Sequence, residues 1–171
     1  MKTFLRTLLL TPLAVLMVSC GGRGLNDGRT DVIFDSDANN ELDDQHAIAY
    51  LLLNEDTFNV LGITTNATKY GGKIEEQSQE AMRVISLVNK EDEVTVHDGA
   101  NGNYEDIKGS VTTPGYDGES AVEFIVRQAR KYSTDNKLTV IAVGKLTNIA
   151  LALDKDARVE KNVRLYWLGS N

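Results

Sequence analysis

Within the stretch VIFDSDANNELDDQHA (residues 32–47), five carboxylates fall inside ten positions: Asp35, Asp37, Glu41, Asp43 and Asp44. Apolar runs bracket them, Val32-Ile33-Phe34 before and Ala47 to Leu53 after. Acidic groups near a helix N-terminus are stabilised by about 0.3–1 kcal/mol each, which accounts for one or two of the five. Carboxylates crowded within several ångströms repel, and at least one is driven to take up a proton. A bound divalent cation removes that conflict, and hard oxygen donors of this kind suit Ca²⁺ or Mg²⁺. The stretch therefore points to a metal site rather than a solvated acidic face.

Two metal motifs can be tested against the spacing. An EF-hand loop beginning at Asp35 needs Gly at its sixth position and Glu at its twelfth. Asn40 and His46 stand there, so that motif fails. A phosphatase of the haloacid dehalogenase type also places Asp-x-Asp after a hydrophobic first strand. It stays open on this stretch, although it leaves Asp43-Asp44 without a role.

The elements that must carry these residues follow from periodicity. Residues 31–36 read as a strand, 42–54 as a helix and 58–64 as a second strand. A helix over 73–89 has Ile74, Ala81, Ile85 and Val88 on one stripe. A short strand at 94–97 precedes a polar loop of some twenty residues, of the kind that is functional or mobile. A helix over 119–132, a buried strand at 137–144, a short helix at 146–153 and a strand at 163–169 complete the pattern. Strands alternating with helices imply an α/β fold: a Rossmann-like, open, mainly parallel sheet with helices on both faces. Ligands of such folds collect outside the carboxyl ends of the strands. The acidic cluster lies at such an end.

Residues 1–20 have the layout of a secretory signal: Lys2 and Arg6, then an apolar stretch from Leu8 to Val18, too short to span a bilayer. The single cysteine, Cys20, follows Met17-Val18-Ser19, which resembles a bacterial lipobox and makes Cys20 the expected lipidation site. The expected location is then the cell envelope, with the membrane met only through that lipid. Residues 21–30 read as a flexible tether, and 31–171 as the domain. Without its first twenty residues the chain carries 25 acidic against 16 basic side chains, which argues against nucleic acid as a partner.

Strand, Asp-x-Asp, short loop, Asp-Asp, helix resembles the metal-binding signature of the inosine–uridine-preferring nucleoside hydrolases. LGITTNAT (61–68) is similar to the family's second-strand segment, and VIAVGKLTNIALAL (140–153) resembles its Gly-Pro-Leu-Thr-Asn-x-Ala segment. ESAVEFIVRQARK fits the helix before it. The resemblance implies a calcium-dependent enzyme that hydrolyses the N-glycosidic bond of a ribonucleoside. Carried over by position, Asp37 and Asp44 become metal ligands and Thr147 a backbone-carbonyl ligand. Asp37 is also the candidate base, Asp43 a ribose-binding group, and Asp35 a supporting acid. Asn66 is the nearest substitute for a substrate-binding Asn, whose gap-free position holds Lys69. His46 and His97 receive no role.

The sequence departs from the family pattern in its first loop. Asp-Pro-Gly-x-Asp-Asp becomes DANNELDD, longer and without the glycine. Family members are also considerably longer, so the resemblance implies an N-terminal part, inactive alone and homo-oligomeric when full length. Two other classes fit the same residues: a metal-dependent phosphohydrolase, and a non-catalytic lipoprotein that binds a nucleoside or sugar.

Overall fold

The computed structural model describes residues 28–68 and 71–169. Five strands form one sheet: β1 (Thr30–Ser36), β2 (Phe58–Thr65), β3 (Val96–His97), β4 (Leu138–Val143) and β5 (Val163–Leu168). They lie in the order β3-β2-β1-β4-β5 and every pairing is parallel. The expected α/β architecture is therefore the observed one. Chain order moves outward from β1 to β3, then returns to the other side of β1 with β4. The carboxyl ends of β1 and β4 are thus neighbours at the point where the winding reverses, and a crevice opens there in such sheets.

The helices are α1 (Leu42–Leu53), α2 (Ile74–Leu87), α3 (Tyr104–Ile107), α4 (Glu119–Ala129), α5 (Thr147–Lys155) and α6 (Arg158–Asn162). Strand side chains alternate between faces, and two cores result. Val32, Phe34 and Ile63 pack with Ile48, Leu51 and Leu52 of α1 and Ala81, Val84 and Ile85 of α2. Ile33, Leu138, Val140 and Ala142 face the other way, against Val122, Ile125 and Ala129 of α4 and Ile149 and Leu151 of α5. An irregularity in the β1–β2 register, between Val32 and Ile33, sets Ile33 opposite Gly62. A side chain at Gly62 would strike the Phe124 ring, its Cβ lying 2.6 Å from the ring edge.

The loop after β3 is not the open segment that its polar composition suggested. Ile107, Val111 and Tyr116 are buried in the second core, with α3 and a 3₁₀ turn at Lys108–Ser110 between them. Lys155 of α5 ties it down through Val111 O (2.8 Å) and the face of Tyr116. Helix α6 was not expected either; its anchor is the buried Val159. On β5 the residues Leu165, Tyr166, Trp167 and Leu168 are exposed. Cys20, the signal and the tether as far as residue 27 lie outside the described residues, and Thr30, the last residue assigned to the tether, begins β1. Among the described residues no helix is long and apolar enough to cross a membrane.

Candidate active site

The last turn of β1 fixes where its acids can go. Asp35 shares the face of Ile33 and is completely enclosed. Thr64 Oγ1 of β2 donates to its Oδ2 at 2.6 Å, and Asn148 Nδ2 of α5 donates to the same oxygen at 2.8 Å. Asn66 Nδ2 donates to Oδ1, also at 2.8 Å. Burial outweighs these three bonds and, helped slightly by Asp37, pushes the Asp35 pKa up to about 6. Asp35 thus gathers the ends of β1, β2 and α5 onto one carboxyl group.

Asn148 and Asn66 extend the same network. Asn148 also donates to Thr65 O (2.8 Å) and accepts from Ala100 N–H (2.9 Å), which docks the loop after β3. That docking leaves no room for a side chain at Gly99, whose Cβ would collide with Thr65 O and the Asn148 amide. Asn66 is fully buried, spending its amide on Asp35, on Val143 O (3.3 Å) and on the Lys145 N–H (3.2 Å). Its place in this structure is inside the scaffold.

Asp37 leaves the end of β1 into a turn that Asn40 N–H closes on the Asp37 carbonyl at 2.8 Å. Thr68 Oγ1 donates to its Oδ2 at 2.6 Å, which orients the carboxyl group. The other oxygen faces Gly144, just beyond β4. A Cβ there would lie 2.6 Å from Asp37 Oδ1, and the glycine has φ +99°, which side chains rarely adopt. The glycine of the Gly-Lys-Leu-Thr-Asn segment is thus a clearance for Asp37.

Asp44 sits in the first turn of α1 but does not cap it. Glu41 holds the N-cap without a side-chain capping bond, and Asp44 is buried, accepting from Ser36 Oγ at 3.1 Å. Burial first, then the negative charge of Asp37, push the Asp44 pKa up to about 7; Asp43 and Glu41 add to the rise. Crowding by the other acids thus favours the protonated form of Asp44. Asp43, its neighbour, is exposed. Thr147, buried, opens α5 three residues after Gly144.

The chemistry of this donor set suits a hard cation: two nearly enclosed carboxylates, each accepting a single side-chain hydrogen bond. In number the set is incomplete. Among the described residues no three His, Cys, Asp or Glu side chains gather closely enough to hold a metal ion. For a cation there, Asp37 and Asp44 would supply two ligands, and others would have to come from carbonyls such as that of Thr147, from water or from substrate.

The structure brings Asp35, Asp37, Asp44 and Asn66 together at the carboxyl ends of β1 and β4, and Asp43, exposed, stands next to Asp44 on α1. Sequence reasoning left out Thr64, Thr68, Ser36, Gly144 and Asn148. All lie in or beside the segments that carried the resemblance, and polar residues at strand ends next to a buried acid were the available signal.

A family model described as inosine-uridine preferring nucleoside hydrolase matches residues 32–171. Among solved structures, a purine-preferring ribonucleoside hydrolase from Gardnerella vaginalis is similar with a TM-score of 0.62 at 23% identity, over 83% of this chain and 49% of that one. An inosine-uridine preferring nucleoside hydrolase from Bacillus anthracis gives 0.57 at 19% identity, over 83% and 51%. The chain spans about half the length of these structures. No curated protein matches it by sequence.

Proposed function

Because the chain belongs to the inosine-uridine preferring nucleoside hydrolase family, we propose that the whole protein hydrolyses the N-glycosidic bond of ribonucleosides, with calcium as its resident cation. The observation that carries this reading is the Asp37–Asp44 pair, enclosed at the β1–β4 crevice and braced from behind by the Asp35 network.

Asp37 is the base. Thr68 occupies its Oδ2, so Oδ1 is the oxygen left to accept a proton from the attacking water. Asp43, exposed beside the pair, binds ribose hydroxyls and positions the sugar. As the base departs, positive charge grows on the ribosyl ring, and the acidic crevice stabilises it. A divalent cation held by Asp37, Asp44 and the Thr147 carbonyl would neutralise the pair and acidify a water molecule. Asp35 and Asn66 act as scaffold behind these groups. A phosphohydrolase built on Asp35-x-Asp37 would need both carboxylates at the substrate, and the enclosure of Asp35 weighs against it.

The test is release of free ribose from inosine and uridine by the full-length protein, with calcium and after chelation. Asp37→Asn should lower turnover at least ~100-fold, the scale of a lost general base, with a smaller change in nucleoside binding. Phosphate release from a phosphomonoester without any ribose would replace the reading with the phosphohydrolase. Saturable nucleoside binding with no product would leave a binding lipoprotein.

A further inference from the structure

Gln77, one turn into α2, is completely enclosed although its side chain is polar, and the mechanism above gives it no part. A buried amide is costly unless its ends find partners, and here both do. Oε1 accepts the Asn39 N–H at 2.7 Å, and Nε2 donates to the Gly71 carbonyl. A backbone N–H only donates and a carbonyl only accepts, so one orientation of the amide serves both. Asn39 Nδ2 donates to the same Gly71 carbonyl at 3.1 Å. A Cβ at Gly71 would lie 2.9 Å from Gln77 Nε2, 3.0 Å from Thr68 Oγ1 and 3.1 Å from Asn40 Cβ. These groups therefore close around the glycine with no room for a side chain.

What Gln77 grips is the link between the two buried acids. Residues 38–41 join Asp37 to α1, whose first turn carries Asp44. The link is longer than the pattern it resembles and lacks that pattern's proline and glycine, residues that preset a turn. Its own backbone closes one turn, Asn40 N–H on Asp37 O at 2.8 Å. Its far end has no side-chain cap at Glu41, Gln45 Nε2 reaches Ala38 O only at 3.4 Å, and Asn39 and Asn40 are exposed. The hold from α2 is firm because α2 is itself fixed. Ser78 Oγ donates to Asp98 Oδ1 at 2.5 Å and meets Thr65 Oγ1 of β2 at 2.9 Å, and the Ile74 N–H donates to Asn101 Oδ1 at 3.0 Å.

We propose that Gln77 is a positioning residue for the acid pair: from α2 it holds residues 38–41 in the path that brings Asp44 to Asp37, and so sets their spacing toward a divalent cation. This rests on the reading that the two carboxylates share that cation. A Gln77 that only fills its niche would affect stability and change nothing at the acids.

The experiment titrates calcium alone into the full-length protein by calorimetry, and follows hydrogen exchange of the peptide covering residues 38–42 in the chelated protein. Gln77→Leu, close in size, should weaken calcium binding about tenfold or more, the scale of losing a group that orients metal ligands, and should speed exchange in that peptide. Gln77→Glu, whose oxygen still accepts from Asn39, should regain part of both. A Gln77→Leu that melts lower yet binds calcium like wild type overturns the proposal and leaves the niche filler. If that variant does not fold, Asn39→Pro removes the same N–H from the exposed side, and wild-type calcium affinity there overturns the proposal equally. If wild type binds no calcium, the cation reading fails, and exchange still decides about Gln77: equal exchange in wild type and Gln77→Leu rejects its hold on the link.

Discussion

Asp35 and Asp44 are the same side chain nine residues apart, and the protein treats them in opposite ways. Asp35 is completely enclosed and takes three hydrogen bonds from two other elements. Asp44 is somewhat less enclosed and has one such bond, from Ser36, and its pKa is likewise pushed up, to about 7. The difference comes from partners: three donors favour the charged form of Asp35, whereas Asp37 stands against the charge of Asp44. One acid is part of the framework, and the other is kept in want of a positive charge.

The largest effect expected from this contrast is on Asp35. Asp35→Ala would leave the Thr64 hydroxyl and the Asn66 and Asn148 amides without their acceptor. Each buried unsatisfied donor costs about 1–3 kcal/mol, so a total of ~3 kcal/mol or more should appear as a melting temperature lower by roughly 6–12 °C. A drop of only a degree or two would mean that the network does not brace the fold. Gly144→Ala should come next. A left-handed residue with a methyl group against Asp37 costs about 1–3 kcal/mol, and displacement of Asp37 should lower turnover as well. Unchanged activity in that variant would show that Asp37 need not be where it is found.

The smallest effect is a dependence on pH. Both acids hold protons more tightly folded than in the unfolded chain, where their pKa is near 3.8. Their stabilising contribution is therefore complete below about pH 4 and lost as pH rises through 6 and 7. Melting curves of chelated protein should show this fall between pH 4.5 and 7.5. His97, whose pKa burial lowers from 6.5, acts in the opposite sense near that value. The informative quantity is accordingly the difference from Asp44→Asn. That variant should be relatively more stable at pH 7.5 without metal, and should lose the stabilisation that calcium gives wild type by binding the folded state. A full calcium response in Asp44→Asn would remove Asp44 from the cation site.

Much of the fold was legible because its signals are local. Val32 to Phe34 and Leu138 to Val143 read as strands from composition and flanking polar residues, and α2 and α4 read as helices from stripes that the structure buries. Loop residues 98–118 and α6 were missed because Ile107, Val111 and Val159 are isolated apolar residues without a period, and only their packing against α4 and α5 makes order there worthwhile. The clustering of acids after β1, and the conflict among them, was also visible along the chain.

The order of residues along the chain decides the stock of carboxylates at one strand end and the alternation that makes a parallel sheet. Which acid would be framework and which would be poised, it could not say. Thr64, Asn66, Gly144 and Asn148 are separated from Asp35 and Asp37 by between 29 and 113 positions. They meet those acids only because β2 and β4 pair with β1 in one particular register. Hydrogen bonding and desolvation act over a few ångströms, so a carboxylate's pKa and role depend on neighbours that the tertiary structure alone assembles.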